Sequence, residues 1–298
     1  MAELTPRNLF DAGLLRLAGA GRRRHIVDDL IEERAVRLSR HPAWPLLRPL
    51  LHGLLGYDEA VRLADAVSPL PGSAVFDSLA ARLRLHLDIT GASNIPAHGG
   101  FILACSHPTG LADPVAAWQL LAPHRSDITL FGNRDALRVA PRLADLVIPV
   151  EWRATEKTRA KSRVAAEATA RAFAAGRAVI LFPSGRIAFW NVDRIDERPW
   201  QTSLVSLARR YEVPVVPVSM QACNSRLFHL FARTNTELRD MTVFRELLNK
   251  RGSTFRIVVG KPVAADALAG DPAEVTRALQ RHTVEALERD PDATFAGA

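Results

Sequence analysis

The sequence predicts an α/β fold, a three-layer α/β/α sandwich around a mixed, largely parallel sheet, preceded by a helical section. From about residue 76 onward, short apolar runs alternate with longer amphipathic segments, as strands and helices do in α/β proteins. Most of these runs are continuously apolar, which is typical of strands buried on both faces. The chain has 298 residues, of which 48% are apolar, so it can bury a large core.

The predicted elements define one main domain over residues 76–290. Its candidate strands are the short apolar runs Leu85–Thr90, Phe101–Ser106, Ile128–Phe131, Val147–Val150, Ala178–Phe182, Val215–Ser219 and Phe255–Val259. Its candidate helices lie at about 114–122, 135–145, 157–175, 200–211, 239–250 and 273–288. Residues 291–298 are expected to form a frayed tail.

Residues 1–75 precede this domain and are expected to be helical, because apolar residues recur near helical spacing in their middle part. The segment His41–Gly56 is strongly apolar but contains three prolines and Arg48. Two interpretations stay open. The segment lies in a membrane interface, with Trp44 at headgroup level and Arg48 reaching toward the headgroups, or it packs on the main domain as a kinked core segment.

The composition argues against several classes of protein. The two cysteines, Cys105 and Cys223, are too few for a disulfide framework, which fits a reducing cytoplasmic setting. The nine histidines are scattered without metal-ligand spacing, so no metal site is expected. No window offers the roughly 18–20 apolar residues that span a bilayer, and the N-terminus does not resemble a signal peptide.

The formal net charge of +7 favours anionic partners such as phospholipid headgroups, coenzyme A phosphates or an acidic carrier protein. Nucleic acid is not expected, because no aromatic-basic motif accompanies the charge. One predicted helix opens with a basic stretch, which is either a solvated face or a contact surface for such anions. It consists of Arg153, Lys157, Arg159, Lys161 and Arg163.

The segment 106–113, Ser-His-Pro-Thr-Gly-Leu-Ala-Asp, carries the first candidate chemistry. His107 directly follows a predicted strand, and functional residues gather at such strand ends. A histidine can take a proton from an attacking hydroxyl if a carboxylate such as Asp113 holds its ring in one orientation. Alternatively, Asp113 is an ordinary N-cap, with Pro114 at the first helical position. The spacing leaves both interpretations open.

The segment 178–186 is a second candidate, a buried strand that ends in Pro-Ser-Gly-Arg. Gly185 permits close approach of a ligand to the backbone, and Ser184 and Arg186 can bind an anion such as phosphate or carboxylate. Pro-Ser-Gly is also a common turn, so this segment alone does not distinguish a site from a turn.

Taken in order, these segments resemble the glycerolipid acyltransferases, the family that includes lysophosphatidic acid acyltransferase. His107 to Asp113 resembles the family's His-x4-Asp motif, and Phe182–Arg186 resembles its Phe-Pro-Glu-Gly-Thr-Arg block. The other similar blocks are Gly91–His107, Phe131–Leu137 with Val147–Arg153, Val213–Val218 and Ile257–Pro262. The resemblance covers roughly residues 85–263.

The resemblance implies an O-acyltransferase that moves a fatty acyl group from acyl-CoA or an acyl carrier protein to a lysophospholipid hydroxyl. It implies His107 as general base, Asp113 as the residue that orients it, no metal and no cofactor besides the acyl co-substrate. It also implies a peripheral position on the cytoplasmic face of a membrane, with the N-terminal helices as docking element. The implied substrate-binding residues are Thr109, Gly110, Arg134, Arg153, Ser184, Gly185 and Arg186.

Two departures from the family pattern leave the identity of the acyl acceptor open. The spacer between His107 and Asp113 has five residues, a variant similar to hemolysin-like members, some of which acylate lyso-aminolipids. Ser184 stands where the block has glutamate, and Arg186-Ile187 replaces Thr-Arg. The first expectation is 1-acylglycerol-3-phosphate, and the alternatives are a lyso-aminolipid such as lyso-ornithine lipid, or a non-catalytic membrane-surface protein. The sequence leaves acyl-chain length, donor carrier and oligomeric state open.

Overall fold

The computed structural model describes residues 24–151, 156, 158–191 and 194–297. A seven-stranded sheet forms the centre of this part, and every predicted strand is present. Its strands are β1 (His86–Thr90), β2 (Phe101–Cys105), β3 (Ile128–Asn133), β4 (Val147–Val150), β5 (Ala178–Leu181), β8 (Val215–Gln221) and β9 (Thr254–Val259). A separate hairpin of two three-residue strands, β6 (Phe189–Asn191) and β7 (Arg194–Asp196), is too short for the sequence pattern to predict.

The strand order in the sheet is β1-β9-β8-β2-β5-β3-β4. β2, β3, β4, β5 and β8 run parallel, whereas β9 is antiparallel to β8 and parallel to β1. The sheet is therefore mixed and largely parallel, as predicted. The parallel arrangement brings the carboxyl ends of five strands to one edge.

Helices cover both faces of this sheet. Those of the main domain are α5 (Gly72–Leu83), α6 (Asp113–Leu121), α7 (Asp135–Val139), α8 (Arg159–Ala174), α9 (Ser203–Tyr211), α10 (Arg226–Thr234), α11 (Thr236–Met241), α12 (Val243–Leu248), α13 (Pro272–Arg281) and α14 (Leu287–Arg289). The predicted helix at 135–145 ends early because Pro141, which lacks an amide hydrogen, begins a 3₁₀ turn. α10 is not among the predicted helices.

The central strand β2 shows how the two layers form. Phe101, Leu103 and Cys105 belong to one buried cluster, which α5 and α6 complete with Phe76 and Trp118. The alternate residues of β2 belong to a second cluster, built with α8, α9 and α13. Alternate side chains of a strand point to opposite faces, so both faces of β2 are buried. The predicted three-layer sandwich is confirmed.

The N-terminal helices pack on the main domain through a third apolar cluster. They are α1 (Ile26–Arg34), α2 (Val36–Ser39), α3 (Trp44–Leu55) and α4 (Tyr57–Val67). Trp44 and Leu55 are buried in this cluster, and Met241 of α11 contributes from the other side. Nη2 of Arg48 lies 2.6 Å from Oδ1 of the buried Asp28.

The segment 41–56 therefore combines features of both interpretations. One face of α3 packs on the domain, and Trp44 and Arg48 are held there rather than at an interface as the first interpretation expected. The other face exposes Leu46, Leu50 and Leu54, which recur every four residues. Within the described ranges, no helix is long and apolar enough to cross a bilayer.

The predicted boundary between residues 75 and 76 lies inside α5, whose Val75 and Phe76 are both buried in the first cluster. Near the other end of the chain, Phe295 packs against His282, with ring centroids 5.7 Å apart. The division into 1–75, 76–290 and 291–298 stays a prediction.

Candidate active site

The carboxyl edge of the sheet gathers most of the residues that the sequence singled out. His107 lies two positions after β2, and the loop Phe182–Arg186 follows β5, the parallel neighbour of β2. Arg134 directly follows β3 at the same edge. Because ligands of open α/β sheets bind outside the carboxyl ends of the strands, this edge is the candidate active site.

His107 and Asp113 are in contact at this edge. Nδ1 of His107 lies 2.8 Å from Oδ2 of Asp113, whose side chain is fully buried. The distance is that of a hydrogen bond, but the angle at Nδ1 falls outside hydrogen-bond geometry. Hydrogen bonds that matter in catalysis are often misaligned in this way before substrate binds. The imidazole ring also packs on Phe182, with ring centroids 4.5 Å apart.

The carboxylate of Asp113 is held by the turn that precedes it. Oδ2 accepts hydrogen bonds from the backbone N–H groups of Thr109 and Gly110, both at 2.9 Å. The Thr109 hydroxyl donates to the other carboxylate oxygen. Asp113 is itself the first residue of α6, and no side chain caps that helix. The carboxylate therefore braces the turn beside His107 and does not act as the N-cap that the alternative interpretation proposed.

Three other segments hold the same turn by hydrogen bonds. The backbone N–H of His107 donates to Oε2 of Glu197 at 3.0 Å, and its carbonyl accepts from the N–H of Ala188 at 2.9 Å. Nδ2 of Asn224, from the loop after β8, donates to the carbonyl of Thr109 at 3.1 Å. The position of the imidazole is thus fixed by contacts from the loops after β2, β5 and β8 and from the end of β7.

Gly110 occupies a position in the turn that other residues would not fit. Its φ of +95° lies in the region that favours glycine. A Cβ at this position would lie 2.6 Å from Cδ1 of Ile187, which packs against the turn. Gly110 therefore serves the close packing of the two loops, and no contact marks it as a substrate-binding residue.

The loop after β5 brings Ser184, Gly185 and Arg186 next to the turn. Ser184 is buried, and its hydroxyl donates to the carbonyl of Arg186 at 2.9 Å. Gly185 adopts a φ of +60°, with open space where a Cβ would stand. Arg186 is exposed. The loop therefore presents the guanidinium of Arg186, which has no ion-pair partner among the described residues, while Ser184 stabilises the loop from within.

Of the two other predicted substrate-binding arginines, the structure describes Arg134. Arg134 follows β3, and β5 separates that strand from β2. Its Nε is buried and has no hydrogen-bond partner within the part of the chain that the structure describes. Arg153 lies outside the described residues. A binding role for either arginine stays a prediction.

Glu197 is a site residue that the sequence reasoning missed. It lies one residue after β7, outside every block of the family resemblance, and reaches His107 only because the β6–β7 hairpin folds over the loop after β5. Burial raises the pKa of the Glu197 carboxyl, against the opposing effects of the His107 N–H and the Ser184 hydroxyl. Among the described residues, no donor meets its buried Oε1 with hydrogen-bond geometry. The site therefore has a second carboxyl group beside His107.

The candidate site consists of imidazole, carboxyl, amide and guanidinium groups. In the part of the chain that the structure describes, no group of three or more His, Cys, Asp and Glu side chains is placed to hold a metal ion. That the reaction needs neither metal nor cofactor stays a prediction.

Comparison with known proteins identifies the segment that carries this site. Residues 86–221 match the family model described as Acyltransferase. The match begins at the first residue of β1 and ends at the last residue of β8, so it includes His107, Asp113 and Glu197. The family resemblance predicted from the sequence is confirmed over this range.

A curated relative, lyso-glycine lipid O-acyltransferase of Phocaeicola vulgatus, is 26% identical over 183 residues, which are 59% of this chain. The match spans 64% of that relative's length, less than two thirds. The crystal structure of the 1-acyl-sn-glycerophosphate acyltransferase PlsC from Thermotoga maritima is similar with a TM-score of 0.49 and 16% identity, covering 86% of this chain and 97% of that chain. Over residues 86–221, this chain is therefore similar to the Acyltransferase family.

Proposed function

We propose that the protein transfers a fatty acyl group from an acyl thioester to the hydroxyl of a lysolipid. The observation that carries this proposal is the contact between His107 and the buried Asp113, 2.8 Å apart, inside the segment that matches the Acyltransferase family. A histidine held beside a carboxylate at the carboxyl edge of a sheet is suited to take a proton from an alcohol.

His107 acts as the general base. The acceptor hydroxyl approaches the imidazole, which takes its proton while the oxygen attacks the thioester carbonyl carbon. Asp113 stabilises the imidazolium that forms and, after a small rotation of the ring, accepts a hydrogen bond from Nδ1. The turn that holds Asp113 has its own hydrogen bonds from Thr109 and Gly110, so the carboxylate is in place before the substrate arrives.

The attack forms a tetrahedral intermediate, which collapses as its carbon–sulfur bond breaks. The new ester bond joins the acyl group to the lysolipid oxygen, and the thiolate leaves with the electron pair. The thiolate then takes the proton held by His107, which returns the site to its starting state. The donor is acyl-CoA or an acylated carrier protein, and no metal takes part in these steps.

The acceptor is a lysolipid with an anionic group. 1-Acylglycerol-3-phosphate is the first candidate from the sequence, and a lyso-aminolipid is the second. The name of the matched relative, a lyso-glycine lipid O-acyltransferase, supports the second candidate. So does Ser184, because this loop departs from the block that lysophosphatidate-acylating relatives carry. A carboxylate-bearing lyso-aminolipid is therefore the acceptor that we place first.

The site works at the surface of a membrane, on its cytoplasmic face. Leu46, Leu50 and Leu54 form an exposed apolar row on α3, and Leu47 beside them is also exposed. Such a row, on a helix anchored to the domain by its other face, suits insertion into the interface of a bilayer. A peripheral position of this kind gives the enzyme access to the lysolipids of that membrane.

The test is an assay of the purified protein against a panel of acceptors: lysophosphatidate, lyso-glycine lipid, lyso-ornithine lipid and monoacylglycerol. Each is offered with acyl-CoA and with acyl carrier protein, and products are identified by mass spectrometry. We expect a diacylated product from at least one anionic acceptor, and loss of that product in His107→Ala. Wild-type turnover in His107→Ala would contradict the mechanism.

A non-catalytic membrane-surface protein is the alternative. It predicts that the protein binds vesicles but consumes no thioester with any acceptor of the panel. Measuring free thiol release beside vesicle binding separates the two functions, because the proposed enzyme releases one thiol for each acyl group transferred.

A further inference from the structure

A buried ion pair lies at the end of α12, outside the candidate active site. Glu246 and Lys250 are 1% and 4% exposed, and Nζ of Lys250 lies 3.1 Å from Oε2 of Glu246. The same Nζ donates to the carbonyl of Glu246 at 3.2 Å and to Oδ1 of Asn249 at 2.7 Å. Because removing two charges from water is costly, a buried pair of this kind adds little to stability by itself. The stability of the fold therefore does not explain why these charges are buried.

The carboxylate of Glu246 holds the loop after β8. The N–H of Ser225 donates to Oε2 at 2.8 Å, and the Ser225 hydroxyl donates to Oε1 at 2.6 Å. That hydroxyl also accepts the N–H of Phe228, which caps α10. Burial opposes ionisation of Glu246, but the hydrogen bonds from Ser225 and the charge of Lys250 outweigh it and lower the pKa of the carboxyl. Glu246 is therefore an ionised acceptor for both donors of Ser225.

The loop held in this way carries Asn224, which contacts the turn of His107. Asn224 directly precedes Ser225, and its Nδ2 donates to the carbonyl of Thr109 at 3.1 Å. The N–H of Thr109 donates in turn to Oδ2 of Asp113 at 2.9 Å. One residue of the turn is thus held by the loop after β8 through its carbonyl, and holds the carboxylate beside His107 through its N–H.

This contact continues the pairing of β2 and β8 beyond the ends of the two strands. Past β2, Oγ of Ser106 accepts the N–H of Met220 at 2.7 Å and donates to its carbonyl at 3.2 Å. Further along, Asn224 joins Thr109, and these two residues are 3% and 2% exposed. A buried carbonyl that loses its donor is costly, because water does not reach it easily. Loss of the Asn224 amide should therefore shift the turn.

From these contacts we propose that Asn224 is a positioning residue for the acyl transfer, and that Glu246, neutralised by Lys250, holds it in place through Ser225. This inference rests on the proposed function for the identity of the reaction. Both residues act through the turn of His107 and not through a contact with either substrate. A displacement of about 1 Å at reacting groups can lower the rate up to about 100-fold. The proposal therefore predicts losses in kcat and not in KM.

The first test replaces the Asn224 amide by an apolar group of similar size. We expect Asn224→Leu to lower kcat about 10-fold, with the acceptor and donor KM values unchanged, as for loss of one buried hydrogen bond. Thr169→Val is the matched control, because Thr169 is also buried and donates to a backbone carbonyl, that of Ala165 at 2.7 Å, within α8. The control should keep wild-type kcat. Wild-type kcat in Asn224→Leu, or a raised acceptor KM at unchanged kcat, would overturn the proposal.

A double-mutant cycle tests whether Glu246 acts through Asn224. Glu246→Gln should lower kcat about 10-fold, and the double variant with Asn224→Leu should lose no more than either single variant. If the two losses multiply to about 100-fold, Glu246 acts independently of Asn224 and the proposal is overturned. Should Glu246→Gln fail to fold because Lys250 loses its partner, Ser225→Ala takes its place in the cycle, since it leaves the ion pair intact.

Amide hydrogen exchange separates this inference from the proposed function, because it needs no turnover. Exchange in the peptide 106–113 should be faster in Asn224→Leu and in Glu246→Gln than in wild type, and unchanged in Thr169→Val. If the wild-type protein acylates no lysolipid but exchange responds in this way, the link from Glu246 to the turn stands and the proposed function fails. If turnover occurs but neither kcat nor exchange responds to these variants, the inference fails and the proposed function stands.

Discussion

Oε2 of Glu197 accepts the backbone N–H of His107 at 3.0 Å, although the two residues are 90 positions apart in the chain. This contact joins the end of the β6–β7 hairpin to the turn after β2. It fixes the main chain of the proposed general base, and Asp113 braces the same turn through Thr109 and Gly110. Glu197 is therefore a positioning residue in the proposed reaction.

Glu197→Ala should lower kcat about 10-fold and leave the donor and acceptor KM values nearly unchanged. The reason is that the His107 N–H loses its acceptor, which loosens the turn without removing a substrate contact. Glu197→Gln is the matched variant, because its amide oxygen still accepts that N–H. Steady-state kinetics should show kcat restored in Glu197→Gln. Equal losses in both variants would mean that the carboxyl group itself acts in the reaction.

Comparing the wild-type protein with Glu197→Gln also tests a prediction about pH. Burial raises the pKa of the Glu197 carboxyl, so between its ordinary value and the raised value the folded protein binds more protons than the unfolded chain. Stability therefore falls as the pH rises through that interval. Denaturant unfolding should show wild type losing stability relative to Glu197→Gln as the pH increases from about 4 to 8. If the difference in free energy of unfolding between the two proteins stays constant with pH, the pKa of Glu197 is not raised.

Asp113→Asn should lower kcat at least about 100-fold, because asparagine can neither stabilise the imidazolium nor hold the ring tautomer. It should also lower the free energy of unfolding by about 1–3 kcal/mol, since one amide oxygen replaces two carboxylate oxygens that accept several donors. Thr109→Val removes one of those donors and is the control for the structural part. If Asp113→Asn loses stability but keeps near-normal kcat, Asp113 serves only the turn.

Gly110→Ala should destabilise the protein more than Gly99→Ala. Both glycines have positive φ, +95° and +78°, but only at Gly110 would a Cβ meet Cδ1 of Ile187, at 2.6 Å. Gly99→Ala therefore measures only the cost of placing alanine at positive φ, about 1 kcal/mol of unfolding free energy. Gly110→Ala adds the cost of displacing the loop after β5. Chemical denaturation of the two variants tests this difference. Equal losses of unfolding free energy in the two variants would show that the loops after β2 and β5 can move apart at no cost.

The strands and the sheet edge were predictable because the sheet is buried on both faces. Runs such as Phe101–Cys105 are continuously apolar for that reason, and the residue after such a run is placed at the edge by topology alone. The contact between His107 and Asp113 follows from a tight turn of adjacent residues, which the sequence also contains. Local spacing was enough for the strands, whereas for Asp113 it left the N-cap interpretation open until the structure showed its contacts.

Glu197 was not predictable in the same way. Its place depends on a hairpin whose strands have three residues each and on a contact with His107, 90 positions away in the chain. α3 illustrates the same limit, because its prolines and leucines are compatible with burial or exposure, and only the packing of Trp44 and Leu55 on α11 and α12 decides which face is covered. Long-range packing of this kind leaves little trace in local spacing.

The exposed row on α3 leads to the last prediction. Leu50 is 72% exposed, so Leu50→Ser should leave the free energy of unfolding nearly unchanged. If the row inserts into a bilayer, the substitution removes about 1.5–3 kcal/mol of apolar burial there, which corresponds to roughly 10-fold weaker vesicle binding or more. Val164→Ser on α8, where Val164 is 47% exposed, is the matched control. Cosedimentation with phosphatidylglycerol–phosphatidylethanolamine vesicles should separate the two variants, and equal binding by both would place the membrane contact elsewhere.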